Sequence, residues 1–411
     1  MSTTPSTDVA NNKPPTPAEF QSNVSGQVFG FAIGFICIIL AIVLILASKM
    51  FRTYIALQRL KSYQSYEITL RSLQDVSIHN YNDYYLRDFF IASAYRPYVC
   101  HNHKYDYVSV EVFKEIVRSG PRMVELEVFN DKYGDKVEPV VSVGDEKGEW
   151  KYTLNSAPLK EFFRAIARVA FNPLTCKVYK DPFIVYLNLK TNRNIKCLNK
   201  IHQYLYDELG QFLLDTNYSY NDKNKKFTDI RLSECFGRVI VLASTGFEGT
   251  NLEELVNYST VSNYTLKHMK DQRRILYLNY NDIVETEEDI EDFVNPQHHK
   301  VSKNQVLEYN KCSFTIISPG NENSGIFGGI SPINYDVGRS LESGAQFMMM
   351  NYQKLDNNML NYLYVFKDTS LVEKVNGGSG QRCNSRVFEG MKEERVNLNK
   401  SEINYLYAST K

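Results

Sequence analysis

The stretch that decides the fold runs from Phe89 to His103 and reads FFIASAYRPYVCHNH. It opens on an apolar, strand-like run, and the helix-like VSVEVFKEIVRSG follows it. The same alternation continues through RMVELEVF, APLKEFFRAIARVAF, FIVYLNL, KCLNKIHQYLYDELGQFL and RVIVLAS. Strands that alternate with helices of about 10–15 residues predict parallel β/α units. Their number predicts an α/β fold, a (β/α)8 barrel of the TIM type.

A second stretch predicts a membrane anchor. Val28 to Ser48 reads VFGFAIGFICIILAIVLILAS, which is 21 residues without a charge. A helix of that length spans about 31 Å, enough to cross a bilayer. A signal peptide would carry basic residues before a shorter apolar core, but residues 1–27 hold a single lysine and no arginine. We therefore expect one retained transmembrane helix before the barrel.

The charges after this helix predict its orientation. Lys49, Arg52, Arg59 and Lys61 follow the apolar run directly. Because positive residues favour the cytosolic side, we expect a single-pass membrane protein with a cytosolic C-terminal domain. The chain has 29 Tyr against 1 Trp. This bias is typical of an AT-rich genome, such as that of a large DNA virus or a protist. For a viral protein, the virion membrane is one expected location.

Net charge and cysteine content indicate which partners and which redox compartment to expect. The formal net charge is +0, so we expect no general attraction to nucleic acid or to acidic membranes. The membrane is expected as a partner because of the transmembrane helix, and no nucleic acid is expected. The seven cysteines form no CxxC pair, which favours free thiols in a reducing compartment.

Composition divides the chain into seven segments. Residues 246–311 interrupt the β/α rhythm with the acidic run DIVETEEDIEDF, which is typical of a solvated insertion. The expected segments are a disordered N-terminus (1–26), the transmembrane helix (27–48), a helical linker (49–82), one half-barrel (83–245), the acidic insertion (246–311), a second half-barrel (312–385) and a C-terminal tail (386–411).

Motifs on both sides of the acidic insertion resemble phosphoinositide-specific phospholipase C, whose barrel is split into X and Y halves. FFIASAYRPYV is similar to that family's first strand, and SVEVFKEIVRSGPRMVELEVFND, PVVSVG and IVYLNLK follow in the family's order. FTIISPG and SPINYDVGRSLESGAQFMMMNYQKLDNNM resemble the Y half. The resemblance covers residues 83–375 and implies the same barrel and a lipid phosphodiesterase ancestry.

The resemblance also locates the family's catalytic histidines. One acts on the inositol hydroxyl and the other protonates the leaving glycerol, which is general acid–base chemistry near neutral pH. In this chain the two positions hold Tyr95 and Val143. A phenol is a poor base at pH 7 and valine transfers no proton. The resemblance therefore implies that the catalytic pair is lost.

The metal and substrate positions are altered as well. The family's calcium ligands fall on Arg96, Glu125, Glu127 and Asn188. We expect Arg96 to form an ion cluster with the two glutamates in place of the metal, with no cofactor, or Ca²⁺ if the family site survives. The family's phosphate-binding and substrate-binding positions fall on Ala243, Thr245, Ile316 and Ser318, and most of their chemistry is lost.

An alternative alignment keeps a histidine. The HNH tripeptide allows a shifted register, in which His101 or His103 would serve as the acid or base and Arg96 would replace calcium. The second family histidine is still missing in that register. A zinc site from Cys100, His101 and His103 would need a further cluster of ligands, and none is apparent.

Three functions remain open from these residues. The first is a membrane-anchored pseudoenzyme, a catalytically degenerate barrel that binds a phosphoinositide headgroup or a protein partner. The second is an active phosphoric diester hydrolase on phosphoinositides or related lipids, which uses His101 or His103. Spacing a membrane from another assembly is a third possibility. The loops at the carboxyl ends of the barrel strands would carry a binding function.

Overall fold

The computed structural model describes ten segments of the chain. They are residues 17–62, 70–76, 81–133, 136–145, 147–221, 230–261, 274–286, 300–311, 313–320 and 333–374. Most of the predicted disordered N-terminus, much of the acidic run and the whole predicted tail lie outside them.

The first helix is longer than the sequence predicted. It runs over Pro17–Ser62, so residues 17–26, expected to be disordered, are helical, with a proline at the first helical position, where its fixed φ suits the helix. Val28–Lys61 is long and apolar enough to cross a membrane, and its most apolar part has no side chain buried by protein. The N-terminal unit of the structure ends at Arg52.

The second unit begins at Thr53 and contains the barrel. Within it, Ala56 and Leu60 from the end of the first helix are buried in the layer outside the barrel wall. The predicted helical linker is interrupted: the helix ends at Ser62, and Arg71 pairs with Thr369 as an isolated β-bridge.

Thirteen strands follow the first helix within the described segments. They are β1 (Phe89–Ala94), β2 (Met123–Tyr133), β3 (Lys136–Val141), β4 (Ala157–Pro158), β5 (Phe183–Lys190), β6 (Val239–Ala243), β7 (Tyr258–Val261), β8 (Arg274–Asn279), β9 (Ile283–Val284), β10 (Val301–Ser302), β11 (Thr315–Ser318), β12 (Phe347–Met350) and β13 (Leu371–Glu373).

Eight of these strands close a parallel barrel in the order β1, β2, β5, β6, β7, β8, β11, β12. Closure is made by β1, which pairs in parallel with β2 through Ser93 and Met123 and with β12 through Ile91 and Phe347. The predicted (β/α)8 barrel is therefore confirmed. The hairpin strands β3 and β4 extend from β2, and β13 runs antiparallel to the start of β1.

Nine α-helices accompany the strands in the described residues. They are α1 (Pro17–Ser62), α2 (Leu73–Val76), α3 (Val110–Arg118), α4 (Leu159–Val169), α5 (Ile195–Leu209), α6 (Leu232–Cys235), α7 (Lys303–Asn310), α8 (Val337–Glu342) and α9 (Asn357–Val365). Ser109 caps α3 by accepting from the Val112 N–H, and the buried side chains Val112, Phe113 and Ile116 lie on one helical face. This apolar face covers the outside of the barrel.

Strand alternation separates two cores. On β2, Val124, Leu126 and Val128 join the core under the helices, whereas Met123 belongs to the barrel interior. Because side chains alternate across a strand, Glu125 and Glu127 share the interior side with Met123. The barrel is apolar at its amino end and polar at its carboxyl end.

The expected boundary between the half-barrels needs correction. The segment 246–311, predicted as an insertion, contributes the barrel strands β7 and β8 and the helix α7. These strands are short, with 4 and 6 residues, and acidic neighbours obscured them in the sequence. Only part of the acidic run, through Thr286, lies within the described residues, directly after β8.

Candidate functional site

A cavity of about 820 Å³ opens at the carboxyl ends of the barrel strands. Parallel barrels place their ligand sites at this end. The cavity is lined by Tyr95, Arg96, Glu127, Tyr186, Asn188, Leu189, Lys190, Asn192, Arg193, Ser244, Thr245, Gly246, Thr260, Val261, Tyr277 and Asn279. We call it the mouth cavity.

Arg96 is the best-fixed cation of the mouth cavity. It follows β1 with a left-handed backbone, φ 42°, and its carbonyl accepts a 2.8 Å hydrogen bond from Gln353 Nε2. Its guanidinium lies 3.3 Å from Glu127 Oε2 and 4.9 Å from the centre of the Tyr95 ring. A left-handed arginine is strained, so the surrounding contacts hold the side chain over the carboxylate.

Two buried carboxylates lie along β2 beneath this cation. Glu127 pairs with Arg96, and Glu125 Oε1 accepts a 2.9 Å hydrogen bond from Asn188 Nδ2. Burial raises the pKa of Glu125, although Arg96 and the Asn188 hydrogen bond oppose the shift. The structure thus brings together the four residues that the resemblance places at the family's calcium positions.

This donor set does not suit a calcium ion. Calcium takes six to eight oxygen ligands, whereas here Asn188 turns its amide nitrogen toward Glu125 and a guanidinium pairs with Glu127. No group of three or more His, Cys, Asp or Glu side chains that could hold a metal occurs in the described residues. The positive charge at this position comes from Arg96 itself.

The resemblance places Tyr95 and Val143 at the family's histidine positions, and these two residues lie in different parts of the fold. Tyr95 lines the mouth cavity and belongs to the barrel-interior core. Val143 is 1% exposed and packs in the core under the helices. Neither side chain is an imidazole, and of the two only Tyr95 lines the cavity.

The shifted histidines lie outside the cavity lining. His103 is 1% exposed and packs its ring 5.5 Å from that of Tyr95. Burial, followed by the charge of Arg96, lowers its pKa well below the usual range, so its imidazole is neutral. Burial and then the charge of Arg59 lower the pKa of His101. None of the described residues that line the cavity is a histidine.

The four substrate positions fall into different places. Thr245 lines the mouth cavity, and Ser318 is buried, donating to Asn279 Oδ1 at 3.0 Å. Ile316 is fully buried in the barrel interior. Ala243 belongs to the core under the helices, so its assignment to the cavity is wrong: strand alternation turns Leu242 and Ser244 inward instead.

Several cavity residues were not anticipated from the sequence. Tyr186 and Tyr277 pack with ring centres 5.7 Å apart, and the Tyr186 hydroxyl lies 3.2 Å from Thr260 Oγ1. Lys190 and Arg193 add positive charge at the end of β5. The two-residue period of FIVYLNLK, which places Ile184, Tyr186 and Asn188 on one side, was the available signal.

Replacing Glu125 by glutamine is expected to flatten the dependence of stability on pH. The folded pKa lies above the unfolded value of about 4.3, so the wild-type stability is full below that value. It falls as the pH rises through the raised pKa. Glutamine keeps an oxygen for Asn188 without the buried charge. Urea unfolding across this pH range should show that the free energy of unfolding of E125Q increases relative to wild type as the pH rises. The exposed E308Q should show no such increase. Parallel stability–pH curves for E125Q and wild type would contradict a raised pKa for Glu125.

Comparison with known families identifies the first half of the barrel. Residues 83–244 match the family described as phosphatidylinositol-specific phospholipase C, X domain. This match covers less than half of the chain. It spans β1 to β6 and includes Arg96, Glu125, Glu127 and Asn188, whereas the barrel strands β7, β8, β11 and β12 lie beyond the match. No curated protein sequence matches the chain.

Two solved structures are similar in fold over a larger share of the chain. The crystal structure of L. pealei PLC21 has a TM-score of 0.53 and 17% identity, covering 72% of this chain and 38% of that one. The crystal structure of S. officinalis PLC21 has a TM-score of 0.51 and 16% identity, covering 71% and 37%. The chain thus spans less than two fifths of either structure, and the likeness shows the fold.

Proposed function

We propose that this protein is a membrane-anchored, non-catalytic phospholipase C-like barrel that binds an anionic headgroup at its mouth cavity. One observation carries the proposal. Arg96 and Glu127, which the resemblance places at the family's calcium position, form an ion pair, and the described cavity lining contains no imidazole. The site keeps fixed charge for binding and lacks the groups that move protons.

The chemistry of phosphodiester cleavage requires those groups. A general base must reach the attacking hydroxyl within about 2.6–3.2 Å, directly or through one water. His103 is buried behind Tyr95 and both of its ring nitrogens lack a hydrogen-bond partner among the described groups. Its desolvation disfavours the imidazolium that proton transfer would produce. The proposal therefore assigns His103 to packing.

Binding is favoured by the charge around the cavity. Lys190 and Arg193 lie at the rim and Arg96 within. Guanidinium and ammonium groups bind phosphate through charge-assisted hydrogen bonds. A phosphoinositide headgroup, with several phosphates on a hydroxylated ring, also suits the hydroxyl and amide groups of Thr260, Asn188 and similar lining residues. We propose that no calcium is needed, because Arg96 supplies the charge.

The transmembrane helix would determine the compartment in which the barrel binds its ligand. The helix Val28–Lys61 is long enough to cross a membrane, and the basic residues after its apolar run favour a cytosolic barrel. Phosphoinositide headgroups exposed on the cytosolic face are then within the same compartment. A protein partner at the mouth is the other class of ligand that the proposal allows.

Replacing Arg193 by alanine is expected to weaken binding of inositol trisphosphate about 10-fold, since one charge-assisted contact is removed. Arg193 is exposed and donates to the Glu248 carbonyl at 3.4 Å. Arg238 is its matched control, because it is also exposed, donates to the Gln211 carbonyl at 3.3 Å, and lies before β6 at the opposite end of the barrel.

Calorimetric titration of the full chain in detergent checks this expectation. Wild type and R238A should bind alike, with an affinity that falls as salt is raised. Equal affinities for R193A and R238A, or no binding by wild type, would contradict headgroup binding at the mouth.

A further inference from the structure

A short segment, residues 70–76, packs against the amino end of the barrel, and we call it the strap. It includes α2 and stands between α1 and the barrel strands in the sequence. The Arg71 N–H donates to the Asp368 carbonyl at 2.9 Å, and the Leu73 N–H donates to Asp181 Oδ1 at 2.8 Å. Since Asp181 lies just before β5, the strap is on the side of the barrel opposite the mouth cavity.

Asp181 joins the strap to the barrel through a buried carboxyl group. The residue is 0% exposed, and its Oδ2 atom has no hydrogen-bond partner among the described groups. An ionised carboxylate with one buried oxygen left unpaired is costly, and burial raises the pKa of Asp181 to about 7. Because the Leu73 N–H contacts Oδ1 directly, release of the strap would open the carboxyl to water.

Three charged side chains act on Asp181 from the elements around it. Arg122, directly before β2, and Lys180, in the same loop as Asp181, favour the ionised carboxylate, whereas Asp75 of the strap favours the neutral form. Arg122 is fully buried and donates to Cys176 Sγ at 2.8 Å, so it belongs to the barrel whether or not the strap is bound. Without the strap, the carboxyl would be hydrated beside a cation, and its pKa would fall toward the usual value of about 3.9.

We propose that Asp181 makes the contact between strap and barrel pH-sensitive, so that the strap is held firmly in acid and loosened as the pH approaches neutrality. The docked state binds the proton more tightly than the released state. Docking is therefore strongest below about pH 4, and it weakens until the pH passes the folded pKa of about 7. Above that pH both states are ionised and no further change is expected. This behaviour is independent of ligand binding at the mouth cavity.

Hydrogen exchange of the full chain in detergent measures docking of the strap. Peptides that contain Leu73 are followed by mass spectrometry, and each exchange rate is divided by the intrinsic rate at the same pH. We expect the protection of the strap to fall about 10-fold or more between about pH 5 and about pH 7, and then to level off. A peptide that contains Gly237, whose N–H donates to the Lys180 carbonyl at 2.7 Å, reports opening of the barrel loop itself and should keep its protection.

Two variants decide whether Asp181 is the group that titrates. Asp181→Asn keeps an acceptor for the Leu73 N–H and carries no proton equilibrium, so the protection of its strap should not change with pH. Asp75→Asn is the matched control. It removes an exposed carboxylate of the strap that pairs with Lys180, and the fall of protection with pH should remain.

Three results would overturn the proposal. They are a wild-type strap whose protection does not fall as the pH rises, a D181N strap whose protection falls as steeply as in wild type, and a Gly237 peptide that loses protection in parallel with the strap. If D181N does not fold, the comparison of the Leu73 and Gly237 peptides in the wild-type chain still decides between release of the strap and opening of the barrel.

Discussion

Replacing Arg96 by methionine is expected to lower the free energy of unfolding by about 3 kcal/mol, since it leaves a buried carboxylate without its cation. The guanidinium is 14% exposed and Glu127 only 1%, so water screens the pair poorly. Methionine has a similar stem and the same cost at a positive φ, and the change therefore reports the charge. Urea unfolding of the full chain in detergent measures it.

A double variant separates the ion pair from packing. Arg96→Met combined with Glu127→Leu removes both charges and should recover part of the loss, because an apolar pair of similar volume often replaces a buried ion pair at little cost. Arg118→Met is the control: its partner is Glu115 and its side chain is 38% exposed, so we expect at most about 1 kcal/mol. Equal losses of unfolding free energy for R96M and R118M would contradict a stabilising role of the Arg96–Glu127 ion pair.

Replacing Arg122 by methionine is expected to cost about 4 kcal/mol, the largest effect of any single substitution proposed for this chain. Arg122 is fully buried. It donates to the Ala170 carbonyl at 3.1 Å and to Cys176 Sγ at 2.8 Å, and its guanidinium lies 5.0 Å from the centre of the Phe183 ring. The substitution would remove all three contacts at the amino end of the barrel.

The R122M substitution should also change the pKa of the nearby Asp181 carboxyl. Burial raises the pKa of Asp181 to about 7, and Arg122 opposes that shift. Without the guanidinium the pKa should rise further, so the loss of stability in R122M should be smaller at acidic pH, where Asp181 is protonated in both states. Lys180→Met, which removes a surface pair with Asp75, is the control. A loss below about 1 kcal/mol for R122M would contradict this packing role.

The fold was largely predictable from the sequence, because buried parallel strands and amphipathic helices leave periodic apolar patterns. FFIASA and FIVYLNLK became β1 and β5. Two barrel strands were missed: YSTV and RILYLN are short, and their neighbours are charged or lie outside the described residues. A short strand inside a polar stretch carries too little pattern to be separated from an insertion.

The site was predictable only where strand periodicity could be combined with motif order. That reasoning placed Arg96 beside Glu127, but it put Ala243 on the wrong side of β6, since a one-residue slip turns a side chain to the opposite face. A cavity lined by Lys147, Trp150 and Lys190 could not be foreseen, because it depends on the loop around Gly148 packing against β5. Such long-range contacts leave no local pattern.

Hydrolysis of phosphatidylinositol bisphosphate tests most directly whether the barrel is non-catalytic. The full chain is reconstituted in vesicles that contain radiolabelled phosphatidylinositol bisphosphate, and released inositol phosphate is counted with calcium and with chelator. An active phospholipase C on the same vesicles shows that the substrate is accessible. We expect no release of inositol phosphate above the protein-free background, either with calcium or with chelator. Release that disappears when His101 and His103 are replaced by alanine would contradict it and identify a working phosphodiesterase.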